Sequence, residues 1–218
     1  LSEDKRDALH DELETLQEEC FDLQRHFRPN ASIDHEQLNW LKEGLIASHR
    51  DPAARGRIVT MHHPAYVTEK TKWNQADTQA IRIHLRDVFD NVASSLGDAL
   101  TSPLVDLVLS GHAHCMEVLR THETGHSDCQ INWVICGGSG YGLRTQRREG
   151  PELIEQDESG NSRVIASNHL FIGRNWNGTA EGDAYSGLRI DIAEGKPLRM
   201  TLKPLVSCRT SEGWVDAE

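Results

Sequence analysis

An α/β fold is what this sequence predicts, a helix-bearing sheet layer joined to a mostly antiparallel one. Three observations predict it. Helical and strand-like segments alternate up to about residue 136. Short alternating segments then follow one another in the later part, which is the order of an α/β layer followed by an antiparallel one. Two short apolar runs each stop at a histidine pair, and ligand sites in open α/β sheets lie at such strand ends.

The elements follow in order. Residues 3–27 carry Leu9, Leu13, Leu16, Cys20, Leu23 and Phe27 at alternating spacings of four and three, a narrow apolar seam of helical period. Ser2 suits the cap, and Glu3 and Asp4 suit the positive end of the helix dipole. Residues 1–33 therefore read as an amino-terminal helix. The simpler reading packs it on its own domain; the other makes residues 9–27 an assembly seam between copies. Pro29 and Asn30 break it. A second helix begins near Asp34, where Asp34 and Gln37 have capping-box spacing, and it ends at Asp51 and Pro52 with Leu38, Leu41 and Leu45 on one face.

Ile58 to Met61 is a buried strand stopping at His62, His63 and Pro64. A loop follows over 65–73, then a helix over 75–96 with Ile81, Leu85, Val88, Phe89 and Val92 inward. Leu104 to Leu109 is the next strand and ends at Ser110 and Gly111. Met116 to Leu119 and Ile131 to Cys136 are two more, the latter running into Gly137, Gly138, Ser139 and Gly140, a turn suited to positive φ. Residues 145–162 are polar and predict a surface loop. Leu188 to Ile192 and Leu198 to Leu202, joined through Gly195, predict a hairpin.

Composition excludes several classes. Asp and Glu outnumber Lys and Arg by 34 to 23, a net charge of −11, which opposes binding to a phosphate backbone and predicts no nucleic-acid groove. It does not oppose a small phosphorylated substrate, because bound cations reverse the local field. The five cysteines include no Cys-x-x-Cys pair, which favours a reducing compartment, the cytoplasm, over a disulfide framework. No apolar run reaches the ~18 residues of a membrane span.

Of twelve histidines, position singles out four. In Ser110-Gly111-His112-Ala113-His114 the pair either shares one face of an extended chain or diverges in a turn to serve two adjacent metals. Gly111 permits a tight bend there. Neutral imidazole ligates zinc, iron and related ions. In His62-His63-Pro64, adjacent residues of an extended segment point oppositely, so at most one faces a site directly. A satisfied polar turn is the plain alternative for each pair taken alone. Taken together, they stand at the ends of two strands separated by one long helix, the arrangement of neighbours joined by a crossover.

Gln37-Leu38-Asn39-Trp40-Leu41, Val59-Thr60-Met61-His62-His63-Pro64 and Asp106-Leu107-Val108-Leu109-Ser110-Gly111-His112-Ala113-His114, in this order, resemble the calcineurin-like metallophosphoesterase family, which includes purple acid phosphatases. The resemblance spans roughly 34–140, and the Gly-His-x-His element is its specific part. It implies a four-layer αββα sandwich of which residues 34–206 are the carboxyl-terminal half, with 207–218 a tail. It implies two metal ions (Fe, Mn or Zn), with His62 and His112 on one and His114 on the other. His63 is then an outer or structural residue. Tyr66, Trp73, Tyr141 and Arg144 are candidates for lining a substrate site. The implied activity is hydrolysis of a phosphomonoester or phosphodiester, on a phosphorylated small molecule or protein, by a hydroxide held between the metals. The family's Asp-x-His, Gly-Asp and Gly-Asn-His elements do not precede His62. The expectation is therefore an enzyme whose amino-terminal segment supplies them, and which is inactive as this chain alone. The alternative is a non-catalytic relative that uses its incomplete site and its helical seam for assembly. A third reading is a module that binds one metal through His62, His112 and His114.

Overall fold

The computed structural model describes residues 33–140, 142–156, 159–174 and 183–217, together with Lys5, Arg6, Leu9, Glu12, Leu13, Leu16, Gln17 and Cys20. These last positions are helical, as predicted. Leu9, Leu13 and Leu16 are exposed, so at the described positions the seam does not pack on the chain's own domain. Leu23 and Phe27 lie outside the described residues.

Helix α1 spans His35–Arg50, and the Asp34 side chain accepts the Gln37 N–H at 3.0 Å. That bond satisfies a donor the helix leaves orphaned and is worth about 1 kcal/mol. Leu45 is buried and Leu38 and Leu41 pack beside it. Strand β1 is Ile58–Thr60, helix α2 Ala76–Leu96, and a 3₁₀ turn covers Gly97–Ala99. Strands β2 (Leu107–Ser110), β3 (Met116–Thr121) and β4 (Asn132–Cys136) match predicted ones, each within a few residues. Strand β5 (Glu152–Gln156) arises inside the stretch expected to be a surface loop. Strands β6 (Ser162–Ile172), β7 (Ala184–Ile192), β8 (Met200–Thr210) and β9 (Gly213–Ala217) follow. The predicted hairpin is β7–β8, pairing Ile190 with Leu202. The predicted tail is instead the end of β8 and all of β9, paired from Val206 to Thr210.

The main sheet has the order β1-β2-β4-β3-β6-β5; β7-β8-β9 form a second one. The first three strands are parallel and the rest of the main sheet is antiparallel. Both helices pack on each other and share one core with this sheet, through Leu45, Val59, Phe89, Val92, Val108 and Trp133 among others. The second sheet joins the first where the Ser186 N–H donates to Gly138 O at 2.9 Å, and it leaves Leu205, Trp214 and Val215 exposed. The chain is thus mixed α/β with two sheets. Among the described residues no helix is long and apolar enough to cross a membrane.

Residues 65–69, just past the His-His-Pro element, are wholly buried. Two polar networks hold them. Glu117 Oε2 on β3 accepts both the N–H and the hydroxyl of Thr68, each at 2.7 Å, and the Asn168 amide at 2.8 Å. Nearby, the Tyr66 hydroxyl donates to Asp128, whose carboxylate pairs with Arg86 at 3.0 Å. Arg82 and Arg86 both reach Glu155, and the Arg82 guanidinium lies over the Trp73 ring at 4.1 Å. Buried charges persist when paired and hydrogen-bonded in this way.

Burial pushes the Glu117 carboxyl up to about 7, against the pull of the Thr68 donors, and the neighbouring Glu69 adds to the rise. The folded state then holds this proton more tightly than the unfolded state. Stability from this group is therefore full below the ordinary carboxylate value and falls as pH rises towards about 7, a loss of about 3 kcal/mol. Glu117→Gln keeps an accepting oxygen and cannot ionise. Urea denaturation at pH 5 and pH 8 should show a wild-type loss that the variant lacks; equal pH dependence in both would sink this account.

Candidate metal centre

Strands β1 and β2 pair in parallel with Thr60 opposite Leu109. The pairing continues past both strand ends. The Met61 N–H donates to Leu109 O, and the Gly111 N–H donates to His62 O, each at 3.0 Å. One hydrogen bond thus joins the two histidine-bearing turns directly.

The turns bring three imidazoles together. Ring centroids lie 5.1 Å apart for His62 and His112, 4.1 Å for His63 and His112, and 4.8 Å for His62 and His63. One ring nitrogen of each lies within 4.8 Å of the others. His62 is exposed and the other two are half-buried, so the group is open on one side. His63 therefore joins the cluster, contrary to the expectation that at most one of the adjacent pair faces the site. That expectation assumed extended backbone, but the chain bends at both residues, and alternation fails at a bend.

Backbone geometry on the β2 side is strained. His112 has φ of 61°, left-handed for a residue with a side chain. The Ala113 N–H donates to Gly111 O at 2.7 Å, and the Cys115 N–H to Ala113 O at 2.9 Å. These are successive three-residue turns centred on His112 and His114. Such conformations cost about 1–3 kcal/mol and cluster at functional sites. The positive φ thus falls on His112 and not on Gly111, whose absent Cβ would meet only ordinary contacts, His62 O at 3.9 Å being the nearest. Gly137 is different. A Cβ there would sit 1.9 Å from Ala113 O. Close approach explains this glycine; positive φ, the sequence expectation for 137–140, occurs at none of its glycines.

His114 lies outside the three-ring group. It is exposed, and its Nδ1 is 3.2 Å from Gly142 O. The Arg144 N–H donates to His114 O at 3.0 Å, placing Arg144 in the loop beside it. Tyr66 and Trp73 are buried at 1 % and 8 % exposure within the networks described above, so neither lines an open surface. Tyr141 lies outside the described residues. Sequence reasoning missed Glu117, Asn168 and Asp128, the polar groups that hold the turn's continuation. A lone acid in an apolar strand, as in Met116-Glu117-Val118, was the available signal.

Three convergent neutral imidazoles with an open side fit one transition-metal ion such as zinc, iron or manganese. Among the described residues this is the single group of three or more His, Cys, Asp or Glu donors close enough to hold one, and no carboxylate belongs to it. Comparison with known proteins finds no family whose pattern matches the chain, and no curated protein that matches it.

Two outcomes are expected. Zinc should bind at one equivalent, with affinity falling more than about 100-fold in His63→Ala or His112→Ala, beyond the loss typical of an outer partner, and much less in His114→Ala; chelator competition measures this. Gly111→Ala should fold with a cost under about 1 kcal/mol, the scale of a Gly–Ala exchange without strain, whereas Gly137→Ala should lower the melting temperature markedly.

Proposed function

We propose that this chain is the carboxyl-terminal half of a calcineurin-like metallophosphoesterase domain, and that the complete protein hydrolyses a phosphomonoester or phosphodiester. The observation that carries the proposal is the convergence of His62, His63 and His112 from two neighbouring parallel strand ends. The strained backbone at His112 supports it, since strain persists only where surrounding structure holds it. Under this reading the two sheets are the inner layers of a four-layer αββα sandwich. Exposed apolar residues on the smaller sheet agree with a further layer there.

The roles follow from position. His62, His63 and His112 would hold one ion. His114, diverging in its own turn, would serve a second, consistent with Fe, Mn or Zn as the pair. Such ions polarise a phosphoryl oxygen and lower the pKa of water. Arg144 beside His114 suits a phosphate oxygen pair through its forked guanidinium. Two close cations repel strongly, and neutral imidazoles do not offset that. A bridging carboxylate is needed, and the described residues place none in the cluster. The reading therefore requires acidic ligands from a further segment.

A second reading is favoured by that same lack: a site for a single ion with no hydrolytic role. The two separate experimentally. The complete coding sequence, expressed with manganese, zinc or iron, is assayed on p-nitrophenyl phosphate and bis-p-nitrophenyl phosphate. Chelator-sensitive turnover that falls at least 10³-fold in His112→Ala, the scale of losing a principal catalytic group, is expected, with little from the 218 residues alone. Tight metal binding without turnover in the complete protein would leave the single-ion reading.

A further inference from the structure

The amino-terminal helix takes no part in the site above, and its apolar face is unlike that of helix α2. Helix α2 turns Leu85, Val88, Phe89 and Val92 inward. Its adjacent pair, Val88 and Phe89, widens the face to the breadth that packs on a core. Leu9, Leu13, Leu16, Cys20, Leu23 and Phe27 instead keep a strict alternation of four and three. That is the period of a coiled-coil seam, narrower than a core face. The described positions agree: Leu9, Leu13 and Leu16 are helical and 52–57 % exposed, and Cys20 is exposed as well. The chain's own core thus leaves this seam open.

A strict heptad seam fits a second seam of the same period, because each apolar knob enters a hole on the facing helix. A second copy of the chain supplies one in matching register. In heptad terms Leu9, Leu16 and Leu23 are d residues, and Leu13, Cys20 and Phe27 are a residues. Arg6, at the preceding a position, is exposed and marks the amino end of the seam. Leucine at every d suits a parallel pair, and charge selects the same direction. Glu12 and Glu19 are g residues; Gln17 and Gln24 are e residues. In a parallel pair g of one chain meets the following e of the other. Position 12 then falls opposite 17, and 19 opposite 24, each a glutamate facing a glutamine. In an antiparallel pair g meets g, which sets position 12 against 19, glutamate on glutamate, twice over. Such like-charge contacts oppose association.

We infer that residues 9–27 pair two copies of this chain as a parallel, in-register coiled coil, with Cys20 of one copy facing Cys20 of the other. Residues 35 onward of both copies then issue from the same end of the coil. The inference uses no histidine and no metal ion, so it stands or falls apart from the phosphoesterase reading. It gives the seam a partner of stated identity and direction, where the sequence left packing on its own domain as the simpler reading.

The test follows the complete protein by sedimentation equilibrium from about 1 to 100 µM, the range of modest association energies. A dimer is expected. Leu16→Asp should weaken its association at least about 30-fold, the scale of a central interface residue, and leave the thermal unfolding of the rest of the chain unchanged. Gln17→Lys should act the other way. It places a cation opposite Glu12 of the other copy on both sides of the coil, and should tighten the dimer about threefold or more, the scale of two exposed ion pairs. Glu12→Gln should abolish that gain. A short bis-maleimide should link the two copies through Cys20, and no link should form in Cys20→Ser. A monomer or a trimer throughout, or a dimer indifferent to Leu16→Asp, overturns the inference. So does a dimer that lacks either the gain from Gln17→Lys or the link through Cys20, because its helices do not run parallel in register.

Discussion

The parallel pairing of β1 with β2 is the constraint on which the rest depends. Each strand is short, three and four residues, and neither carries chemistry itself. Their register, extended by the bond from the Gly111 N–H to His62 O, decides that two distant histidine motifs face one another. Helix α2 makes the connection and buries Leu85, Phe89 and Val92 against the sheet. A slip of one residue would turn the alternate side chains of β1 outward and carry its histidines out of line. Close packing of Gly137 on Ala113 then fixes the turn on which His112 sits.

Rigidity beyond the turns comes from buried polar groups. The segment after Pro64 could have been an ordinary surface loop. Instead Thr68 is clasped by Glu117, and Tyr66 by Asp128 and Arg86. Such networks contribute little net stability, since desolvation offsets attraction, but removing one partner leaves a buried charge exposed to its full cost. Their effect is to allow the segment one arrangement. A candidate ligand such as His63, three residues before Tyr66, inherits that fixed direction.

Much of this was legible in the sequence. Helix α1 was, because its cap is written in Asp34 and Gln37 and its face in Leu38, Leu41 and Leu45. Strands β1, β2 and β4 were, because their apolar runs end at proline or glycine punctuation, and β3 was from its own apolar run. Strand β5 was not: Glu152, Glu155 and Gln156 surround two apolar residues, and only Leu153 is buried. Its strand character comes from pairing with β6, a partner no local pattern reveals. Strand β9 likewise exists through β8, with the ring of Trp214 set 5.0 Å from that of Tyr185. At the site, His62 and His112 were legible from their place at strand ends. His63 was misread because local bending cancels the alternation rule. The anchoring of Tyr66 was hidden because Asp128 and Arg86 come from elsewhere in the chain.

Cys115 follows His114 immediately and is fully enclosed, its thiol donating to Glu117 Oε1 at 3.4 Å. Burial raises its pKa well above the ordinary thiol range, and nearby Glu117 and Glu69 add to that. A protonated, enclosed thiol is a poor nucleophile, whereas Cys20 stands open to solvent. Alkylation of Cys115 therefore waits for the histidine edge to part, so its labelling rate is a built-in clock for local opening of the histidine-bearing turns. Slowing of that clock on adding an ion would time how firmly coordination locks the sheet's business end.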